Sequence, residues 1–289
     1  MNIIRMAGGL GNQMFSYALY LKFKSVGIDC MIDDFSEYEG HDNRRPLFLR
    51  DAFAIEYPRV SREVYEEFTD SSMRFDKRIA RKLRGRCSRE YHEVSANYDP
   101  EVLRRDNAYL TGYFQSDKYF ADVQDEVLRT FTFTDEVKAT ADRILAESSL
   151  ETTYVSIHLR RGDYLDVSDV YGGICTDDYY RSAIKMIMDK VANPVFLIFS
   201  NDPEWTETWA ATLFDPPFKY HVIKGTDEST GYIDMCLMSR CSHNIIANSS
   251  FSWWGAYLNQ NPDKIVIAPS KWNNKIDQTD IFTENMVKI

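Results

Sequence analysis

Short apolar runs alternate with amphipathic segments through the second half of the chain. Continuous apolar runs predict strands, and an apolar residue at every third or fourth position predicts a helix. The predicted strands are 153–158, 195–200, 219–223, 243–247 and 264–268, and the helices between them are 177–191, 203–213, 229–240 and 251–260. Apolar strands linked by helices are typical of a parallel sheet that helices cover on both faces. The second half is therefore predicted to be one α/β domain.

The first half opens with a strand at 2–6, a glycine-rich turn and a helix. The predicted apolar face of this helix consists of Met14, Phe15, Ala18, Leu19, Phe23 and Val26. Gly27 is predicted to end the helix, because glycine readily adopts the left-handed conformation of a helix C-terminus. A second strand at 28–32 completes a strand–helix–strand unit.

The later elements of the first half decide where we place the domain boundary. They are a strand at 108–113 and helices at 117–130 and 134–149. The regular alternation of strands and helices begins only after them, near residue 151. We therefore predict two α/β domains, 1–150 and 151–289.

The turn after the first strand contains Gly8, Gly9 and Gly11. Their spacing matches neither the G-x-G-x-x-G fingerprint of dinucleotide-binding proteins nor the Gly-Lys-Ser/Thr of a P-loop, so both types of site are disfavoured. Glycine does let a ligand approach the backbone closely, here at Gly9 and Gly11. Asn12 and Gln13 stand beside them at the start of the helix.

The first strand of the second half runs into two adjacent arginines. The residues at its end are His158, Leu159, Arg160, Arg161, Gly162 and Asp163. An arginine guanidinium keeps its charge and can donate two hydrogen bonds at once, which suits a phosphate. One interpretation is therefore a phosphate site. The other is a solvated turn in which an arginine pairs with Asp163 at little gain in stability.

Two further strands end in polar side chains, and the carboxyl ends of parallel strands share one edge of a sheet. Asp202 precedes a helix, where its carboxylate either caps that helix or accepts hydrogen bonds from a guanine or a ribose. The other strand leads into a hydroxyl-rich helix start: Asn248, Ser249, Ser250, Phe251 and Ser252. Free N–H groups at a helix start bind anions. Together the three strand ends predict a nucleotide-diphosphate site, with Trp253 and Trp254 in the core.

Composition narrows the classes of function. The chain has 289 residues and a net charge of −10, which disfavours non-specific nucleic-acid binding. It contains no Asp-x-Asp triplet and no histidine pair with metal-binding spacing, so we assign neutralisation of a pyrophosphate to arginine and a helix terminus. Five cysteines without a C-x-x-C motif indicate reduced thiols. We find no secretory signal and no apolar run that could span a membrane, so we expect a cytoplasmic protein.

Residues 74–89 stand out by their positive charge. Asp76 is their single acid, against eight cations: Arg74, Lys77, Arg78, Arg81, Lys82, Arg84, Arg86 and Arg89. Apolar residues recur at every fourth position, which predicts a basic amphipathic helix with the stripe Phe75, Ile79, Leu83 and Cys87. One interpretation is a solvated surface helix. The other is peripheral contact with an anionic acceptor or with anionic membrane at the inner face of a bacterial envelope.

Four motifs follow one another along the chain. They are Gly8-Gly9-Leu10-Gly11-Asn12-Gln13-Met14-Phe15, His158-x-Arg160-Arg161-Gly162-Asp163-Tyr164, Ser200-Asn201-Asp202-x-Glu204-Trp205 and Asn248-Ser249-Ser250-Phe251-Ser252-Trp253-Trp254-Gly255. In this order, from about residue 3 to 270, they resemble the bacterial α-1,2-fucosyltransferases of glycosyltransferase family 11.

The resemblance implies a GT-B architecture, in which two Rossmann-like domains face each other across a cleft. The first domain would hold the acceptor, and the second would hold GDP-L-fucose, with the donor phosphates on Arg160. The reaction implied is transfer of fucose, with inversion, from GDP-β-L-fucose to the 2-hydroxyl of a galactose at the end of a glycan. Free lactose, a milk-type oligosaccharide and a lipid-linked capsule or O-antigen unit are all open as acceptors. We expect no cofactor and no metal requirement.

The candidate catalytic residues are Arg160, Asp163, His158 and Asn12. Negative charge grows on the β-phosphate as the fucose C1–O bond stretches, so Arg160, helped by Arg161, would bind the transition state better than the ground state. A base on the acceptor hydroxyl would also help, and four side chains are candidates: Asp163, Asp34, Asp177 and His158. A dissociative transition state would need no strong base, and Asp163 would then orient an arginine.

Other classes of protein fit parts of the chain. An aromatic content of 14% would suit a non-catalytic carbohydrate-binding protein, although such a protein needs no phosphate site. A dehydrogenase would need the glycine spacing that is missing here. A transferase with another sugar specificity is a further alternative.

Overall fold

The computed structural model shows two compact units. It describes residues 1–38, 47–146, 153–160, 168–213, 218–227 and 229–289. The first unit comprises Met1–Arg50 and Ile55–Thr130, and the second comprises Asp51–Ala54 and Phe131–Ile289. Each unit contains its own parallel sheet, so the predicted α/β class is confirmed.

The first unit is built on a four-stranded parallel sheet in the order β2-β1-β4-β3. Its strands are β1 (Asn2–Arg5), β2 (Cys30–Asp33), β3 (Glu90–His92) and β4 (Tyr109–Thr111). The helices before Phe131 are α1 (Leu10–Ser25), α2 (Leu49–Phe53), α3 (Arg62–Thr69), α4 (Phe75–Arg84) and α5 (Gln124–Thr130). Short 3₁₀ helices lie at Pro100–Arg104, Asp117–Tyr119 and Ala121–Val123.

Helix α1 is buried well beyond its predicted apolar face. The predicted apolar residues are buried except Val26, which follows the last turn and is 50% exposed. The polar residues Gln13 and Ser16 are fully buried as well, and the buried Lys22 pairs with Asp122 at 2.6 Å. The helix is therefore enclosed by the first unit, which fixes the position of the glycine turn before it.

The second unit is built on a six-stranded parallel sheet in the order β10-β9-β8-β5-β6-β7. Its strands are β5 (Thr153–Leu159), β6 (Pro194–Ser200), β7 (Tyr220–Val222), β8 (His243–Ile245), β9 (Val266–Ala268) and β10 (Met286–Lys288). Its helices are α6 (Asp135–Ala146), α7 (Ser168–Tyr171), α8 (Asp177–Lys190), α9 (Pro203–Leu213), α10 (Gly231–Arg240) and α11 (Ser250–Tyr257), with a 3₁₀ helix at Thr279–Ile281. Apolar side chains of β5, β6 and α8 form its core.

The two units divide at Thr130, earlier than the boundary predicted after residue 150. Helix α6, predicted in the first domain, packs against α10 of the second unit, and Asp142 on α6 forms an ion pair with Arg240. The ring of Phe131 lies 5.1 Å from that of Trp254 and 5.2 Å from that of Phe53. These contacts are distant in sequence, so the regular strand–helix alternation could not reveal them.

The basic helix is shorter than predicted, and two strands were not predicted. Helix α4 ends at Arg84 because Gly85 adopts a positive φ of 82°, which stops the helix before Cys87. Strands β3 and β10 have three residues each, too few to show an alternating pattern. In the ranges that the structure describes, no helix is both long and apolar enough to cross a membrane.

Candidate functional site

The second sheet brings the ends of β5, β6 and β8 together. Strand β5 lies between the other two, with Leu159 beside Ser200 and Ile157 beside Ile245. Because all three strands run parallel, the residues that follow them share the carboxyl edge of the sheet. Arg160, Asp202 and the 248–252 segment, predicted to form one site, therefore follow neighbouring strands.

His158 is enclosed at the end of β5. It is 6% exposed, its carbonyl accepts a hydrogen bond of 2.9 Å from the Tyr180 hydroxyl, and its ring lies 5.6 Å from that of Phe251. Burial, reinforced by the neighbouring Arg160 charge, lowers the pKa of His158 to about 3. The imidazole is therefore neutral and a weak base at pH 7, which is unfavourable for the predicted role as general base.

Arg160 follows β5 directly and is half-buried. This position delivers a permanent positive charge to the sheet edge from a rigid strand. Arg161 and Asp163, the other predicted residues of this motif, lie outside the described residues. Their roles stay predictions.

Asp202 caps helix α9. Its Oδ1 accepts a hydrogen bond of 3.1 Å from the Trp205 N–H, and its carbonyl accepts one of 2.7 Å from the Thr206 hydroxyl. The cap was one of the two interpretations of this residue. A contact between Asp202 and a nucleoside stays a prediction.

Two residues at the start of α11 that were predicted to bind the donor substrate form hydrogen bonds within the protein. Asn248 is 3% exposed; its Nδ2 donates to the Trp272 carbonyl at 3.1 Å, and its Oδ1 accepts from the Cys175 thiol at 3.4 Å. The buried Ser252 hydroxyl donates to the Ser249 carbonyl at 3.3 Å. These side chains hold the turn in shape.

The groups left to face an anion belong to the first turn of α11. Ser249, the N-cap residue of α11, is buried and makes no side-chain cap hydrogen bond. Ser250 and Phe251 are half-buried. The first N–H groups of a helix have no partner within that helix. Their partial positive charges follow β8, next to the strand that carries Arg160.

Helix α11 is held rigidly in the second unit. Trp253 and Trp254 are fully buried, which confirms their predicted place in the core, and the Trp253 indole N–H donates to the Ile281 carbonyl at 2.6 Å. At the far end, Lys264 Nζ donates to the carbonyls of Ala256 and Asn259, each at 2.7 Å. Burial lowers the pKa of Lys264 to about 8. A cation at this end complements the helix dipole.

Close packing also fixes α11 against α10. A Cβ added to Gly255 would lie 2.8 Å from Cβ of Met238, closer than such atoms normally approach. The Met238 side chain of α10 therefore packs directly against the backbone of α11 at Gly255.

The glycine turn of the first unit is held by side chains. Gly8 has a positive φ of 77°, and a Cβ there would meet the Asn12 Nδ2 at 2.6 Å. Asn12 Oδ1 accepts a hydrogen bond of 2.7 Å from Gln115. Gly9 begins α1 and is half-buried, while Gly11 lies within the helix and is buried. Gly9 is thus the better placed of the two for contact with a ligand.

Two other candidate bases have partners in the protein. Asp34 is 7% exposed, pairs with Arg59 at 2.7 Å and accepts a hydrogen bond of 3.1 Å from the Tyr57 hydroxyl. Asp177, in the first turn of α8, accepts one of 2.9 Å from the Trp209 indole. Within the described residues, no group of three His, Cys, Asp or Glu side chains could hold a metal ion.

Comparison with known proteins identifies the family. The family model for glycosyl transferase family 11 matches residues 72–289. The chain belongs to glycosyl transferase family 11. It is 34% identical over 298 residues to the O-antigen biosynthesis glycosyltransferase WbnK of Escherichia coli, covering 93% of this chain and 95% of that protein. The resemblance inferred from the four motifs is confirmed.

Two other relatives carry more specific names. The α-1,2-colitosyltransferase of Escherichia coli is 29% identical over 307 residues. The alignment covers 99% of this family 11 chain and 98% of the colitosyltransferase. The galactoside α-(1,2)-fucosyltransferase 2 of Oryctolagus cuniculus is 28% identical over 263 residues, covering 88% of this chain and 66% of the rabbit protein.

Solved fucosyltransferase structures share the fold of this glycosyltransferase. A mutant of Arabidopsis thaliana FUT1 in complex with GDP aligns with a TM-score of 0.51 at 12% identity, covering 92% of this chain and 70% of that one. NodZ α-1,6-fucosyltransferase soaked with GDP-fucose aligns with a TM-score of 0.50 at 14% identity. The alignment covers 89% of this chain and 92% of the NodZ chain. The predicted GT-B fold class is confirmed.

Sequence analysis did not single out Glu93 and Asp234, two acidic residues of the family 11 enzyme whose pKa values are raised. Glu93 follows β3 and accepts hydrogen bonds from the N–H groups of Tyr113 and Phe114 at 2.8 and 3.0 Å, and burial raises its pKa. Burial raises the pKa of Asp234 on α10 to about 7, which a hydrogen bond from Thr226 partly offsets. The Asp234 Oδ1 atom is shielded from solvent. A lone acid within the apolar sequence of α10 was a signal that could have identified Asp234.

We expect Asp234→Asn to stabilise the protein in a pH-dependent way. Folded Asp234 keeps its proton up to about pH 7, whereas an exposed aspartate in the unfolded chain loses it near pH 4, at about 3.9. Stability is therefore lost as pH rises between these two values, and the variant escapes this loss. Its free energy of unfolding should exceed the wild-type value by roughly 2–4 kcal/mol above pH 7 and match it near pH 4.

Urea unfolding at several pH values measures this difference. Asp189→Asn, which changes an exposed aspartate on α8, is the control and should show little pH-dependent gain. An Asp234→Asn gain that is the same at pH 4 and pH 8 would contradict the assignment.

Proposed function

We propose that this protein is an inverting α-1,2-L-fucosyltransferase. It transfers fucose from GDP-β-L-fucose to the 2-hydroxyl of a galactose in an oligosaccharide or a lipid-linked glycan. The observation that carries the proposal is the position of Arg160 beside the strand that leads into α11, in a chain of family 11. The names of the colitosyltransferase and galactoside fucosyltransferase relatives support the α-1,2 linkage. The NodZ structure soaked with GDP-fucose supports the donor.

The donor pyrophosphate is proposed to lie at the carboxyl edge of the second sheet. Arg160 and the N–H groups of the first turn of α11 contact the phosphate oxygens, with Arg161 adding a second guanidinium. As the bond from the β-phosphate to the fucose breaks, the leaving oxygens gain negative charge. Donors that are already in place stabilise this charge without reorganising during the reaction. The burial and bonding of α11 described above favour such preorganisation.

The acceptor hydroxyl loses a proton, and Asp163 is proposed to receive it. The other candidate bases are less suitable, because His158 is a weak base and Asp34 is paired with Arg59. Where bond breaking runs well ahead of attack, a strong base is not needed, and Asp163 orients an arginine instead. Asn12, whose amide oxygen accepts a hydrogen bond from Gln115, is proposed as a further catalytic residue.

A second candidate function is transfer of another sugar. It is favoured by the colitosyltransferase relative, which aligns over 99% of this chain. The phosphate-binding groups would be the same, because they contact the nucleotide and not the sugar. The difference would lie in the side chains around the transferred ring.

The purified protein should convert GDP-β-L-fucose and lactose into GDP and a trisaccharide. NMR of the product should show an α-linkage to the galactose 2-hydroxyl, because displacement at a β-linked donor inverts the anomeric carbon. The matched control acceptor is the lactose analogue whose galactose lacks the 2-hydroxyl. It should remain unmodified. Transfer from a GDP-colitose donor but not from GDP-fucose would favour the second candidate. Glycan binding without affinity for GDP would indicate a binding protein and overturn the proposal.

Arg160→Ala should lower kcat by a factor on the order of 10²–10³, as expected when one preorganised hydrogen-bond donor to a developing negative charge is lost. Arg160→Lys should recover little of this activity, because lysine cannot donate the paired hydrogen bonds of a guanidinium. Steady-state kinetics at saturating GDP-fucose measures the effect. Arg143→Ala, which removes an exposed arginine on α6, is the matched control. Near wild-type turnover of Arg160→Ala would refute its assigned role.

We expect transfer to be independent of a metal ion. The proposed reaction neutralises the pyrophosphate with arginine and helix N–H groups, so chelation by EDTA should leave the initial rate largely unchanged. Radiolabelled transfer measured before and after EDTA treatment tests this. Loss of activity that Mg²⁺ or Mn²⁺ restores would overturn the metal-independent mechanism.

A further inference from the structure

Helix α4 presents apolar side chains to solvent. Phe75, Ile79 and Leu83 recur at every fourth position and are 77%, 43% and 83% exposed. Met73, just before the helix, is 73% exposed. None of the residues of α4 is buried. A surface helix normally turns such a stripe toward the core, so α4 has the opposite orientation.

Arginine side chains hold α4 in this orientation. Arg81 is 20% exposed, donates to the Ser72 carbonyl and lies 3.7 Å from Asp70 Oδ1. Arg84 lies 3.3 Å from the same carboxylate oxygen, and Asp70 itself is 7% exposed. The Cys87 N–H donates to the other Asp70 oxygen at 2.8 Å. The side of the helix that faces the body of the protein is therefore its arginine side.

Two cations of the segment flank the apolar stripe. Arg78 and Lys82 are exposed, and they follow Phe75 and Ile79 by three positions, which places them next to the stripe. The ion pairs found among the described residues of this segment involve five of its other six cations: Arg74, Arg81, Arg84, Arg86 and Arg89. The exposed face of α4 thus combines large apolar side chains with positive charge.

We propose that α4 is an interfacial helix that docks this protein on an anionic lipid bilayer. Phe75, Ile79 and Leu83 enter the boundary between headgroups and acyl chains, and Arg78 and Lys82 contact lipid phosphates. Apolar burial and attraction to anionic lipid act together at such helices. The proposal does not rest on the proposed transferase activity.

Charge complementarity selects a bilayer as the occupant of this face. The chain carries a net charge of −10, so an anionic surface repels most of the protein and attracts it locally at α4. A second copy of the chain seated symmetrically on the same face would bring Arg78 and Lys82 against their own counterparts. Like charges brought together in this way are unfavourable. An anionic bilayer would bury the apolar stripe and would also attract the cations.

Vesicle flotation tests the proposal. Wild-type protein should float with phosphatidylcholine vesicles that contain phosphatidylglycerol at low salt, and much less with pure phosphatidylcholine or at high salt. Arg78→Gln/Lys82→Gln should weaken binding by on the order of 10- to 30-fold, as expected for two cations near an anionic surface. Phe75→Ser/Leu83→Ser should weaken it by roughly tenfold or more. Arg81 and Arg86 are kept, because their hydrogen bonds to Ser72 and Thr69 hold the segment.

Matched variants separate the helix from general surface properties. Val94→Ser removes an apolar side chain that is 86% exposed outside α4, and Lys24→Gln/Lys190→Gln removes two exposed lysines from other helices. Both should bind vesicles like the wild type. Hydrogen exchange should slow over residues 73–84 when anionic vesicles are added. Thermal melting of each variant checks that it is folded.

Three outcomes would overturn the proposal. The first is failure of wild-type protein to float with anionic vesicles at low salt. The second is unchanged flotation of Phe75→Ser/Leu83→Ser or of Arg78→Gln/Lys82→Gln. The third is a lipid-free dimer, seen by analytical ultracentrifugation and abolished by Phe75→Ser/Leu83→Ser, which would identify a second copy as the occupant.

Discussion

The parallel pairing of β5 with β6 on one side and β8 on the other is the constraint on which the candidate site depends. Ser156 is paired with both Leu197 and Asn244, so this short stretch of backbone connects segments that are far apart in sequence. Strands that are buried on both faces leave little freedom of register, because a shift of β5 by one residue would exchange the apolar side chains of one face with Ser156 and His158 of the other. The register of the three paired strands therefore fixes where their ends lie relative to one another.

The residues at this edge have two different tasks. Asn248, Ser252 and Asp202 bond to the protein and give the loops their shape. Arg160 and the first N–H groups of α11 supply the positive charge. This arrangement separates the groups that fix the geometry from those proposed to bind the donor, so the N–H groups of α11 are in place before a ligand arrives. Such preorganisation is what makes electrostatic stabilisation effective in enzymes.

The sequence pattern predicted the elements that carry the site, because β6 is a continuous apolar run, β5 has an apolar residue at every second position, and α9 begins at Pro203 directly after Asp202. It could not predict where individual side chains point. The amide of Asn248 turns inward because a carbonyl at Trp272 and a thiol at Cys175 lie there, and neither is near it in sequence. The division between the two compact units was hidden for the same reason, since α6 belongs to the second unit through contacts with residues beyond position 230. The orientation of α4 likewise depends on Asp70, which precedes the helix and shows no pattern of its own.

The contact between Gly255 and Met238 restricts how this site can diverge. Because the Met238 side chain on α10 packs directly against the backbone of α11 at Gly255, a shift of α11 along its axis would have to displace Met238. The end of this helix that is proposed to bind phosphate would then stay in place in a family member that accepts a different sugar. Under the proposed function, changes of sugar specificity would then fall on side chains and loops around this anchor, and the nucleotide and the sugar would be recognised by parts of the protein that change independently.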